Sequence, residues 1–306
     1  MAVSSEHIAF LGIGNMGQGI TKNLISKGRL REQLVLWNRT YRVAADHSTA
    51  IGHSRATSDI SEAIDGSSIV WSCLSNQEAV IEVFGRALQR DVRGKLFVES
   101  STITSQATDK ICRMVEAAGA DFIAMPVFGE PTMAQKGILT CVPCGKREAV
   151  DRIRPFLIGV VARAIVDLSG EQPGKASLLK LLGNTLILNT IEMIAESHVF
   201  AEKTGLGVEN LQKLIETTFS GGPSMIYSRR MSSGEYSQGK PMVNAGPATE
   251  LAAHVLEAAR ESGAHLPAYE VAVKHLTAVR DRTGATEDIS GIYGVVRLES
   301  GLRYSD

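Results

Sequence analysis

The sequence predicts an α/β fold in two parts: a doubly wound parallel sheet covered by helices in the N-terminal half, and an all-helical C-terminal half. Three observations predict it. Short apolar runs alternate with helical stretches through the first half, the rhythm of βαβ units. A glycine-rich turn lies between the first apolar run and the first helical stretch. From about residue 175 onward no strand-like run stands out, only long helical patterns such as "LLKLLGNTLILNTIEMIAESHVFAEKTG" and "PATELAAHVLEAARESG".

Taken in order, "HIAFLGI" reads as a strand, "GQGITKNLISKG" as a helix and "QLVLWN" as the second strand. "SSIVWSCLS", "KLFVESS", "DFIAMPVFG" and "ILTCVPCG" follow as strands, with helical candidates between them, including "SQATDKICRMVEAAG". "ARAIVDLSGEQPG" closes the series, and the Gly and Pro of "LSGEQPG" are helix punctuation. The expected domains are therefore residues 1–168, binding a dinucleotide, and 169–306, helical and carrying substrate and dimer contacts.

Gly12, Gly14 and Gly17 of "AFLGIGNMGQGI" have the GxGxxG spacing, and they stand between a strand and a helix. In a Rossmann domain the first glycine permits a tight turn, the second lets the backbone approach a pyrophosphate, and the third lets the helix pack closely on the sheet. Ile13, Asn15 and Met16 complete that turn, whose unpaired N–H groups at the helix start would meet the phosphate charge. At the end of the second strand, where NAD enzymes usually carry Asp or Glu, "VLWNRT" offers Asn38, Arg39 and Thr40. Arg39 supplies a positive charge and Asn38 and Thr40 supply donors, a set that favours the 2'-phosphate of NADP.

The chain has 306 residues, 44% apolar and 21% charged, enough to bury two modest cores. Lys and Arg total 32 against 33 for Asp and Glu, which argues against a nucleic-acid or anionic-membrane partner and toward a small molecule. The start of the chain has no basic segment ahead of a long apolar run, and no run of about 18 uninterrupted apolar residues occurs, so a cytoplasmic location is expected. Cys141 and Cys144 form "CVPC", but in a strand-like setting rather than at a helix start, and no second Cys or His pair completes a metal site. Together with Cys73 and Cys112 they read as packed, reduced thiols. No metal is expected.

Residues 177–197, "SLLKLLGNTLILNTIEMIAES", are apolar around most of a helical circumference, yet they include Lys180 and Asn184 on one face. A lysine in such a helix must snorkel, pair with a carboxylate or face a cleft. Its place just past the expected domain boundary favours a cleft between the halves, where desolvation would bring its pKa toward that of a working proton donor. A helix apolar on so many sides also predicts a homodimer with interleaved C-terminal helices.

"FLGIGNMGQGITKNLISKG", "VLWNRT", "FVESSTIT", "MPVFGEPTMAQKGILTCVPCG" and "GKASLLKLLGN", in this order and spacing, resemble the β-hydroxyacid dehydrogenase family. Its relatives include 6-phosphogluconate dehydrogenases and imine reductases. The resemblance implies that Lys180 protonates the developing alkoxide as hydride arrives from the nicotinamide, and that Asn184 orients the substrate oxygen. It further implies that Ser101 and Thr102 lie by the nicotinamide and substrate, and that Leu74 and Ser75 lie beside the nicotinamide ribose. The segment that cradles a substrate carboxylate in the family departs here. Phe128 stands at the serine's place, Gly129 keeps the first glycine and Glu130 replaces the second. Thr249 and Glu250 stand where the family tends to have a Lys-Asp pair. A phenyl ring donates no hydrogen bond, so a less polar aldehyde or ketone suits this chain better than a small hydroxyacid. Met225, Tyr227, Met242, His254 and Tyr293 are candidate lining residues from the helical half. The expected activity is an NADPH-dependent carbonyl reductase; an imine reductase or reductive aminase, and a non-catalytic NADP-binding scaffold or sensor, are the alternatives.

Overall fold

The computed structural model describes residues 4–219 and 221–305, and the chain divides into two units, Met1–Lys180 and Leu181–Asp306. In the first unit the chain runs β1 (Ile8–Leu11), α1 (Asn15–Lys27), β2 (Leu34–Trp37), α2 (Tyr41–Ile51), β3 (Ser54–Thr57), α3 (Ile60–Asp65) and β4 (Ile69–Ser72). It continues with α4 (Gln77–Ala87), β5 (Leu96–Glu99), α5 (Ser105–Ala117) and β6 (Asp121–Ala124). These six strands are parallel in the order β3-β2-β1-β4-β5-β6. The order reverses between β1 and β4, the switch point at which open α/β sheets bind their ligands. Every residue of β1, β2, β4 and β5 is buried, because helices cover both faces, and this is why those strands read as unbroken apolar runs. Alternation along β1 sends Ile8 and Phe10 into one core and Ala9 and Leu11 into the other.

β3 has no apolar signature in the sequence. It is an edge strand, Ser-Arg-Ala-Thr, with three of its four residues only partly buried, so nothing selects for a hydrophobic run there.

Three runs expected as single strands are each broken in two. "DFIAMPVFG" gives β6 and β7 (Val127–Phe128) and is followed by α6 (Pro131–Lys136); "ILTCVPCG" gives β8 (Leu139–Cys141) and β9 (Cys144–Gly145). After α7 (Arg147–Ile153), "ARAIVDLS" gives β10 (Ala162–Ile165) and β11 (Leu168–Ser169). The second pieces, β9 and β11, join the main sheet beyond β6, while β7, β8 and β10 form a separate three-stranded sheet. Pro126 and Pro143 stand at two of the breaks; a residue without an N–H cannot continue a ladder. Cys141 and Cys144 therefore lie on different sheets, both buried and unpaired, and burial pushes their thiols up to about 12 and about 11.

No strand follows Ser169 among the described residues. The 30-residue helix α8 (Gly174–Lys203) begins in the first unit: the Gly174 N–H donates to Asp109 at 2.8 Å, the Ser177 and Thr108 hydroxyls lie 2.6 Å apart, and Ala176 is buried in the sheet's second core. These contacts carry the packing boundary to Lys180, beyond the expected 168/169 division, which falls within β11.

The second unit comprises the rest of α8 with α9 (Val208–Thr218), α10 (Gly222–Ser232), α11 (Glu235–Gln238), α12 (Ala245–Ser262), α13 (Pro267–Thr283) and α14 (Ile292–Glu299). Its core joins Leu188, Ile191, Ala195 and Val199 of α8 to Ala272, Leu276 and Val279 of α13. Within one chain α8 is not covered on every apolar side. Leu182, Leu186, Met193 and Phe200 are 51%, 70%, 53% and 71% exposed.

A polar group interrupts that core. His275 places Nδ1 2.7 Å from Glu192 Oε1 and Nε2 3.2 Å from Glu299 Oε2, while Lys274 pairs with the same Glu299 carboxylate. Its hydrogen bond to Glu192 raises the imidazole above its ordinary pKa of 6.5. A raised folded-state pKa stabilises fully below the unfolded value, and that stability is lost as pH rises through the folded value. Denaturant unfolding of the wild type is expected to show stability falling as pH rises above about 6.5, with Glu192→Gln flattening this dependence. Equal pH slopes in the two proteins would remove the pair from the linkage.

Candidate active site

The turn from β1 into α1 is built by three glycines with three different constraints. Gly12 has φ +101°, and a Cβ there would come within 2.3 Å of the Cys73 carbonyl oxygen. A Cβ on Gly17 would fall 2.1 Å from the Gly12 oxygen, so only glycine lets α1 approach the turn so closely. Gly14 is the opposite case: nothing lies within 4 Å of the position its Cβ would take. Gly14 is the N-cap of α1, and no side chain caps the first-turn N–H groups. Open space over Gly14, uncapped donors and the positive end of a 13-residue helix together fit a pyrophosphate.

At the end of β2, Asn38 is part of the framework. Its Oδ1 accepts the Ile13 N–H at 3.0 Å and its Nδ2 donates to the Thr40 carbonyl at 3.1 Å, tying the β2 end to the glycine turn. The expectation that Asn38 donates to the cofactor is limited accordingly, because one of its two N–H groups is already engaged. Arg39 and Thr40 are exposed, and the Thr40 side chain makes no capping bond to α2 although it occupies the N-cap.

The β4 and β5 ends lie next to the same turn. The Leu74 N–H donates to Ser101 Oγ at 2.7 Å, Ser75 follows at the start of α4, and Asn76 caps that helix through Ala79. Beneath Ser101 lies Glu99, only 2% exposed, whose carboxylate accepts from the Ser101 N–H and the Ser72 hydroxyl. Burial pushes it up to about 7 despite those bonds. Glu99 was not singled out from the sequence, although a carboxylate closing an apolar strand was a readable signal. Ser101 is buried and Thr102 exposed.

Lys180 comes to this region from α8. Its Nζ donates to the Val127 carbonyl at 2.8 Å and lies 4.4 Å from the centre of the Phe128 ring. Burial lowers its pKa to about 8, and the Cys73 thiol, next to the glycine turn, lies near it. Cys73 is itself pushed up to about 12, first by burial, and so stays neutral. Gly129 turns the chain from β7 into α6 with φ +134°, and a Cβ there would meet the Leu139 side chain at 2.8 Å. Glu130 accepts from the Thr132 hydroxyl at 2.8 Å.

Asn184 lies one helical turn beyond Lys180 and is half-buried. Of the lining candidates in the helical unit, Tyr227 and Tyr293 are buried, and the Tyr293 hydroxyl donates to Glu202 beside the Glu202–Arg297 ion pair. Tyr293 thus belongs to that unit's internal polar network, a role its sequence position does not reveal. Met225, Met242 and His254 are half-buried.

Comparison with known proteins gives a consistent picture. The family described as the NAD binding domain of 6-phosphogluconate dehydrogenase matches residues 7–169. The chain is 44% identical to the NADH-dependent oxidoreductase ucdB of Aspergillus ustus, over 95% of this chain and 99% of that protein. Among solved structures, 3-hydroxyisobutyrate dehydrogenase of Mycobacterium tuberculosis with L-serine has a TM-score of 0.80 at 23% identity, covering 96% of this chain and all of the other. Psf3 in complex with NADP+ and 2-OPP has a TM-score of 0.78 at 25% identity, covering 94% and 99%.

Proposed function

Because the chain belongs to the β-hydroxyacid dehydrogenase family, we propose that it is an NADPH-dependent reductase of an aldehyde or ketone, with Lys180 as the proton donor. The observation that carries this reading is the part-buried Lys180 ammonium, held against the Val127 carbonyl with its pKa lowered to about 8. A donor with a pKa near neutrality is mostly charged at pH 7 yet gives up its proton readily. Gly12, Ile13, Gly14, Asn15, Met16 and Gly17 would hold the pyrophosphate, Arg39 and Thr40 the adenosine end, and Leu74, Ser75 and Ser101 the nicotinamide ribose. The dinucleotide, when bound, supplies the hydride. Lys180 supplies a proton to the substrate oxygen, Asn184 orients that oxygen, and Thr102, Phe128 and Gly129 border the substrate.

Phe128 and Glu130 replace the serine and the second glycine of the family's carboxylate cradle, so an uncharged carbonyl compound is the favoured substrate class. An imine reductase needs no such lysine, since an iminium already carries charge. For the dinucleotide, Arg39 supports NADPH, and the absence of a carboxylate beside it removes the group that would repel a 2'-phosphate. NADH is the second reading, favoured by the name of the Aspergillus ustus relative. The exposed Leu182, Leu186, Met193 and Phe200 on α8 support burial against a second copy of the chain. Four unpaired cysteines agree with a reducing compartment, the cytoplasm.

Lys180→Met is expected to lower carbonyl turnover by about 100-fold or more while leaving the dinucleotide Kd unchanged. In the wild type, reduction should decline as pH rises through about 8, where the donor is lost. Full carbonyl turnover in the variant would take Lys180 out of the chemistry, and NADPH binding without oxidation of any carbonyl or imine would indicate the scaffold. Arg39→Ala should reduce the NADPH to NADH preference in kcat/KM by about tenfold or more, the scale of one lost charged hydrogen bond; an unchanged ratio would end the case for NADPH. Leu186→Glu is expected to halve the mass measured in solution, and a monomeric wild type at micromolar concentration would exclude the dimer.

A further inference from the structure

The Phe128 ring stands where the family's pattern has a small hydroxyl, and the part-buried ammonium of Lys180 lies over its face. We propose that Phe128 is a positioning residue, its ring face holding Lys180 in place and in the charged form; the catalytic part of this inference rests on the reading of Lys180 as the acid. The geometry is specific. β7 contributes two consecutive groups to Nζ, the Val127 carbonyl at 2.8 Å and the Phe128 ring at 4.4 Å from its centre. An ammonium has three N–H donors, and these contacts take up two directions, leaving one for a substrate oxygen. When that N–H bond breaks and an O–H bond forms on the substrate, the neutral amine left behind no longer draws on the ring quadrupole. The ring therefore favours the form that is ready to donate.

The surroundings explain why a ring is needed. Among the described residues no carboxylate forms an ion pair with Lys180. From the β4 end, the facing group is the Cys73 thiol, neutral because of its burial. Glu99, at the end of β5, acts on Cys73 and is bonded to Ser72 and Ser101. β7 brings no titratable side chain, and Glu130 at the start of α6 is bonded to Thr132. On α8 itself, Lys175 is paired with Glu171 and Ser177 is bonded to Thr108. With no counter-charge, a carbonyl dipole and an aromatic face are what offset the desolvation of the ammonium.

The test reads the lysine directly. In full-length protein carrying 13C at the lysine ε position, Lys180→Met identifies the Lys180 signal, whose titration midpoint is then followed in Phe128 variants. Phe128→Leu is expected to lower the midpoint by about one pH unit, and Phe128→Tyr to leave it within about 0.3 unit. Pentafluorophenylalanine at position 128, which keeps the shape and reverses the ring electrostatics, should lower it further and serves if the leucine variant does not fold. A ring acting only by excluding water predicts the opposite sign for leucine, since water would enter and the midpoint would rise; a rise or no change overturns the proposal. The basic limb of the pH profile for NADPH oxidation should move down with the midpoint. Should Lys180→Met keep full turnover, the general-acid reading fails, while the titration still decides what Phe128 does.

Discussion

A missing hydrogen-bond donor at Pro126 sets the arrangement around Lys180. β6 pairs along the main sheet as far as Ala124, and two residues later the chain cannot continue the ladder. β7 consequently pairs with β8 in a second, smaller sheet. The departure brings the Val127 carbonyl and the Phe128 ring to the lysine, and Gly129, in a backbone conformation few other residues adopt, then turns the chain into α6.

Electrostatics in this region rest on neutralisation and hydrogen bonding more than on ion pairs. Glu99 and Cys73 are both held toward their uncharged forms by burial, and the Lys180 ammonium is offset by a dipole and a ring. Such a group of buried titratable side chains around a glycine turn is the kind of place where shifted pKa values mark function. The helical unit handles burial differently: Glu202 and Arg297 neutralise each other as opposed charges, and Glu192 is hydrogen-bonded to His275.

Much of this was legible in the chain. The glycine spacing, the fully buried strands and the change to all-helical structure each follow from a local pattern that tertiary packing did not override. Lys180 could be found because a cation in an apolar helix needs a reason to be there. What could not be read has physical causes. β3 is half exposed and carries no period of apolar residues. The division of three strands between two sheets depends on pairing partners far apart in sequence, which no local window contains. The framework bond of Asn38 to Ile13, which ties the end of β2 to the glycine turn, depends on a residue distant in sequence and could not be read from its residue type. The boundary drawn from the Gly and Pro of "LSGEQPG" and the packing boundary differ because the first turns of α8 are fastened to α5 by Asp109 and Thr108.

That α8 runs unbroken from Gly174 to Lys203 has a mechanical consequence. Lys180 belongs to the first unit and Asn184 to the second, but the spacing between them is one helical turn, about 6 Å, and is enforced by the backbone ladder alone. Amine and amide are thus set one turn apart by the helix itself.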